Sequence, residues 1–261
     1  MVRPSRYAVG IDLGTTHCAL AYADTQTPAA TRGSVARAQL GDPGDVAAEA
    51  RLPALRYQLA PGELSPEAGQ LPWSKTPLES ELPAGIVGAL AGQWGARVPG
   101  RLVVSAKSWL SHARVDRTAP ILPWGAPGDV PKVSPLQASA SYLAHLGAAW
   151  NQAFPGHPLE RQDVVVTLPA SFDEDARALT LAAARLAGLP RVQLLEEPQA
   201  ACYHWLRQHQ DNLAAALGDR RLLLVCDIGG GTLDLTLIAI EPQGEGPPVL
   251  RRIGVGDHLM V

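Results

Sequence analysis

No long run of one charge occurs in the chain, where 22 Lys+Arg stand against 25 Asp+Glu. A field so balanced gives DNA, RNA or an anionic membrane nothing to hold, and none of them is expected as a partner. Nor does any uninterrupted apolar stretch reach the length that spans a bilayer, and MVRPSR runs into YAVGIDLG without the apolar region or small-residue cleavage pattern of a signal peptide. The expectation is a soluble, cytoplasmic protein. Cysteine is scarce: Cys18, Cys202 and Cys226 are odd in number, far apart and set in apolar stretches, as in a reducing compartment. Low-complexity tracts are absent too, because the 25 Gly and 23 Pro are spread along the chain. What remains is a chain of many turns, long enough at 261 residues to bury a real core.

From Tyr7 to Ala23 the pattern suits two short strands joined at a tight turn, Asp12 to Thr16, where Gly14 frees the backbone. Residues 31–131 are rich in Pro and Gly and weakly periodic, which predicts a smaller, looser inserted subdomain. Ser134 followed by Pro135 reads as a helix start, and Leu136, Ala140, Leu143, Gly147, Trp150 and Phe154 fall on one face of an amphipathic helix. VVVTLPA reads as a strand buried on both faces, ended by Pro169. Ser171 with Glu174 predicts a capping box, and Gly188 and Pro190 a helix end. A strand over Val192 to Leu195 then leads to Glu197 and Pro198, which open a helix running towards Gly218. Strand, helix, strand, helix predicts a mainly parallel sheet. LLLVCD, IGGG and TLDLTLIAI predict a second hairpin, with a further strand over Val249 to Val255.

The sequence echoes itself. GIDLGTT, from Gly10, returns as VCDIGGGT, from Val225: an apolar strand, an Asp at its end, glycine, threonine and a second strand. This predicts a duplicated fold whose glycine turns face each other across a cleft. Glycines let successive N–H groups converge on phosphate oxygens, and Thr15, Thr16 and Thr232 add hydroxyl donors. Asp12 and Asp227 would repel phosphate directly, so they make sense with Mg²⁺ between. Asp234 shares a strand face with Thr232 and Thr236; it reads equally as a cleft carboxylate or a solvated one. His204 and His209 near Cys202 match no standard zinc spacing and read as helix packing.

These residues resemble the actin, sugar kinase and heat shock protein 70 superfamily. VVVTLPASFDEDAR, AGL, LEEPQAA, CDIGGGTLDLTLI, GDHL, IDLGTT and SAKSWL are most similar to the ATPase domain of the heat shock protein 70 (DnaK-type) chaperones. The EEP form, where those chaperones usually have Asn before Glu-Pro, is more typical of the bacterial rod-shape filament proteins. The resemblance is clear over residues 6–24 and 132–261. It implies an α/β, actin-like ATPase (ribonuclease H-like) fold, a mixed sheet with flanking helices. Residues 1–220 would form lobe I and residues 221–261 the opening strands of a truncated lobe II. The resemblance further implies that Gly14, Thr15, Thr16 and His17 hold one side of the phosphates of ATP or ADP, and Gly229, Gly230, Gly231 and Thr232 the other. Asp12 and Asp227 would hold hydrated Mg²⁺, with Glu197 near the metal and the attacking water. Pro169 and Arg177 match positions tied to communication between domains. Their plain readings are a helix N-cap for Glu197, a strand terminator for Pro169 and a surface charge for Arg177.

Two departures stand out. Among the lysines Lys75, Lys107 and Lys132, none occupies the family's catalytic position in the inserted subdomain. Gly92 or a neighbour falls there, Arg97 is the nearest basic side chain in sequence, and an impaired hydrolysis is implied. The segments that hold the base and ribose, and the client-binding domain, match nothing before Val261, so a fragment of a longer protein is expected. Three functions compete: an ATPase chaperone that binds client polypeptides and co-chaperones in a stress response, an actin-like filament or scaffold protein, and a sugar-kinase-like phosphotransferase.

Overall fold

Alternation through the first strand, β1 (Tyr7–Leu13), buries Val9, Ile11 and Leu13 and turns Gly10 and Asp12 outward. β2 (His17–Asp24) returns antiparallel, with Asp12 opposite Ala19 and Leu13 opposite Cys18, and β3 (Arg32–Ser34) pairs on its far side. The computed structural model describes residues 5–27, 32–73, 77–230, 232–243, 246–256 and 259–260. The chain divides into two compact units, residues 1–166 with 174–193, and residues 167–173 with 194–261.

The segment expected to be loose is well structured. β4 (Arg37–Asp42) and β5 (Asp45–Glu49) form a hairpin, β6 (Leu52–Pro53) pairs with β2, and β7 (Arg56–Gln58) is the middle strand of a second small sheet. After α1 (Pro77–Glu81) come β8 (Gly85–Val87), α2 (Ala89–Arg97), β9 (Leu102–Val103) and α3 (Ala106–Leu110), with β8 and β9 flanking β7. Leu40, Tyr57, Ile86, Leu90 and Ala91 make its core. Buried guanidiniums reinforce it: Arg37 donates to the Leu20 carbonyl at 2.7 Å and to that of Ala50, and Arg56 to the Pro83 carbonyl at 2.7 Å. Strands of two or three residues show no period, which is why the sequence pattern does not reveal them.

α4 (Pro135–Ala153) starts as expected. The Ser134 hydroxyl accepts from the Gln137 N–H, and the Gln137 side chain accepts from the Ser134 N–H, a complete capping box. The amphipathic reading of this helix is corrected, because α4 is buried nearly all round, packed by α1, α3 and β1 among others. Its sequence carries no Asp, Glu, Lys or Arg, and a helix without a polar face is a central one. Tyr7 and Tyr22 meet Trp150 edge-on at ring centroids of 5.4 and 5.7 Å, and Phe154 stacks on Trp150 at 4.3 Å.

β10 (Asp163–Leu168) follows, with one face buried and the other half-buried, not closed on both as expected. α5 (Glu174–Leu186) begins two residues later than a Ser171 cap would place it: Ser171 lies in the turn before the helix and Glu174 is its first residue. Its C-terminal end is as expected. Gly188, at φ 83°, donates to the Arg185 carbonyl and Leu189 to that of Ala184, the paired bonds of a Schellman motif. β11 (Val192–Glu196) completes a six-stranded sheet of order β11-β10-β1-β2-β3, with β6 also on β2. The mainly parallel sheet of the sequence reading is therefore a mixed one, since β1, β2, β3 and β6 pair antiparallel.

α6 (Glu197–Gln208) stops well short of Gly218, and the chain reaches there through a 3-10 turn and α7 (Leu213–Leu217). β12 (Leu222–Ile228), β13 (Thr232–Gln243) and β14 (Gly246–Val255) form an antiparallel sheet, and β15 (Leu259–Met260) pairs with β13. α6 packs on β12 and β14, burying Cys202 with Ile238, Ile240 and Leu250, with Trp205, Leu223 and Val225 beside them.

Candidate functional site

The two echoed sequences fold into hairpins of the same build. In each, a seven-residue strand carries Asp at its sixth position, three residues separate it in sequence from the next strand, and that longer strand returns antiparallel. At the first turn Gly14 is obligatory, since a Cβ there would run into the His17 carbonyl oxygen. Thr15 is half-buried, Thr16 and His17 are exposed, and His17 Nδ1 lies 3.4 Å from Thr16 Oγ1. The inserted subdomain braces this turn: Pro53 and Leu52 pair with His17 and Cys18, and the Ala54 N–H donates to the Thr16 carbonyl at 2.9 Å.

Charge gathers behind the turn. Burial pushes the Cys18 thiol up to about 12, the Asp12 carboxylate adds to that rise, and Lys107 and Arg37 oppose it. Lys107 is 7 % exposed, on α3. Ser105, two residues before it, has φ 54° and is the one non-glycine residue at positive φ among those described. Arg97, which sequence reasoning nominated, is exposed in the last turn of α2, and Gly92 lies on the same helix. The signal for Lys107 is the SAKSWL motif itself, which sequence reasoning used for recognition and not for chemistry.

At the second hairpin the register sets Asp227 directly opposite Asp234. Paired residues of an antiparallel ladder share a face at Cβ separations of about 5 Å. Asp227 is half-buried and Asp234 buried. Two carboxylates so close favour a cation, and Mg²⁺, which keeps most of its waters and takes one or two carboxylates, suits the pair. Among the described residues no group of three or more His, Cys, Asp or Glu side chains is placed to hold a metal, so a site caged by protein ligands alone is not built here. Gly229 and Gly230 are exposed in the turn; Gly231 lies outside the described residues, as does the side chain of Thr232, the first residue of β13. The symmetry of Asp227 and Asp234 about the turn is the signal that pairs them.

Glu197 is the first residue of α6 and half-buried; the N-cap position belongs to Glu196. Glu196 accepts from Arg252 of β14 at 2.8 Å, and the same Arg252 nitrogen donates to the Ala170 carbonyl at 3.1 Å, one residue beyond Pro169. Arg177 is half-buried on α5. His209 stacks on Trp205 at 4.3 Å and its Nδ1 lies 2.9 Å from the Trp205 carbonyl, which accounts for it as a packing residue.

The family described as Hsp70 protein matches residues 118–245, from the approach to α4 through the second hairpin. The chain belongs to the heat shock protein 70 family. The similar proteins are named as chaperones or as a heat shock 70 kDa protein. The chain is 36% identical over 169 residues to chaperone protein HscA of Edwardsiella ictaluri, covering 60% of this chain and 26% of that protein. To an HscA homolog of Variovorax paradoxus it is 31% identical over 235 residues, 90% of this chain and 32% of the other. To the heat shock 70 kDa protein BIP3 of Oryza sativa it is 33% identical over 178 residues, 60% of this chain and 25% of the other. The chain thus spans about a quarter to a third of the length of these curated relatives. Membership of the heat shock protein 70 family carries the actin-like ATPase fold, and the mixed sheet with flanking helices agrees with it. No described helix is long and apolar enough to cross a membrane.

Proposed function

We propose that this chain is a nucleotide-binding module of a heat shock protein 70-like chaperone, taking ATP or ADP with Mg²⁺. The observation that carries the reading is the duplicated hairpin, with Asp at the sixth position of the first strand in both copies. In this reading residues 1–220 form one lobe, with the small subdomain at about 31–131, and residues 221–261 begin the next. Gly14, Thr15, Thr16 and His17 hold phosphate oxygens from the first turn, and Gly229, Gly230, Gly231 and Thr232 from the second. Asp12 and Asp227 would hold hydrated Mg²⁺, which would supply positive charge to offset that of the phosphates. Glu197 orients the attacking water, as a carboxylate at a helix start and partly screened from solvent can do. Because the family's own lysine is missing, hydrolysis is slow relative to binding. Loss of one preorganised donor costs roughly a hundredfold or more in rate. Client polypeptides and co-chaperones are the partners of the whole protein, in a cytoplasmic stress response.

Calorimetry of MgATP and MgADP binding tests the reading, with Asp227→Asn as the control. Binding that weakens about tenfold or more in the variant supports it, by the loss of a charge from the metal site. Equal affinity in the two proteins, or none in either, defeats it. Sedimentation with and without MgATP separates the filament reading, which requires a nucleotide-driven polymer.

A further inference from the structure

We propose that Arg252 is a positioning residue: its guanidinium clamps the start of α6, and with it Glu197, to the turn that follows Pro169. The inference rests on the nucleotide reading above and deepens it. β14 is irregular where this arginine stands. Leu237 pairs with Gly254 but Ile238 pairs with Arg252, so Ile253 is an extra residue, a β-bulge. Without it Arg252 would oppose Ala239, on the other face of the sheet. The bulge re-aims the side chain onto the face of Ile238, the one that α6 covers. There one nitrogen donates to Glu196 at 2.8 Å and to the Ala170 carbonyl at 3.1 Å. The Glu196 side chain is 12 % exposed and that of Arg252 37 %, so the bond is sheltered at its acidic end and the buried charge of Glu196 has the cation it requires.

Three segments far apart in sequence thus meet at one group: Ala170 after Pro169, Glu196 before Glu197, and β14. Glu197 cannot shift without disturbing the Glu196 bond, and the turn cannot move without disturbing that of Ala170. The clamp also accounts for the EEP form of the motif. A second glutamate before Glu-Pro is a buried charge, and it is tolerable in this chain because Arg252 faces it.

The test is a double-mutant cycle, Arg252→Gln and Glu196→Gln singly and together, with Arg252→Lys as the conservative variant. Amide hydrogen exchange at residues 169–173 and 197–201 is measured beside MgATP affinity. Each single Gln variant is expected to speed exchange in both segments and to weaken MgATP binding about fivefold. The double variant is no worse than the poorer single, and Arg252→Lys recovers part of the loss. Multiplying effects in the double variant overturn the clamp. So does a lowered unfolding temperature with MgATP affinity unchanged, which a plain structural tie would give. If the unaltered protein binds no MgATP, the nucleotide reading fails by itself. The exchange cycle then decides the clamp alone: faster exchange confined to β14 refutes it.

Discussion

His145 offers the sharpest quantitative test of the packing around α4. Its ring is buried, Nε2 lies 2.9 Å from the Ala38 carbonyl of β4, and Trp73 meets it edge-on at 5.1 Å. Burial pulls its pKa down from 6.5 to about 4; the Ala38 hydrogen bond opposes that fall and the Arg37 charge adds to it. The folded state therefore favours the neutral ring, which binds its proton less readily than in the unfolded chain. Stability from this group is complete above pH 6.5 and is lost as pH falls through the window down to about 4, with no further change below. At about 1.4 kcal/mol per pKa unit the full loss is about 3 kcal/mol. Urea unfolding of the protein and of His145→Gln, which keeps a donor for the carbonyl but does not titrate, isolates the effect. The difference between the two stabilities should change by about 3 kcal/mol from pH 6.5 to pH 4, always against the protein that carries histidine. Parallel curves across that range would refute the burial of a neutral ring at this position.

Two further outcomes follow from geometry. Gly14→Ala puts a methyl group into the His17 carbonyl, so the turn must open; urea unfolding should show a loss of about 2 kcal/mol or more, and calorimetry a weaker MgATP complex. Unchanged stability would mean that the turn is not as tight as described. Trp150→Ala removes the ring that joins Tyr7, Tyr22 and Phe154 and leaves the His157 carbonyl without its donor at 2.7 Å. A loss of about 3–5 kcal/mol is expected in thermal or urea unfolding, and one under about 1 kcal/mol would contradict the core assignment.

What the sequence made legible was what local chemistry controls. Apolar strands ending at Asp12 and Asp227, each followed by glycine, marked both hairpins, Ser134 with Pro135 marked the start of α4, and Gly188 marked the end of α5. What stayed hidden depends on partners distant in the chain. The 31–131 segment is held by strands too short for a period and by arginines that bond to carbonyls of other strands. The cap of α5 went astray because Ser171 and Glu174 have the right spacing for a capping box, while the helix begins only at Glu174. α4 was given a solvent face that its uncharged sequence denied. At the site, the glycines and carboxylates declared themselves by motif. Lys107 and the Arg252 clamp needed a fold to bring them near Cys18 and Glu196.

The short pairing of residues 52–53 onto β2, continued by the Ala54 bond to Thr16, ties the loop at 14–16 to a stretch of chain nearly forty residues away. A nick or an insertion in that remote stretch should therefore loosen the first glycine turn while leaving its own sequence intact. Any graft that exchanges the small subdomain for another must bring its own substitute for that N–H, or the turn loses a support that its own residues do not provide.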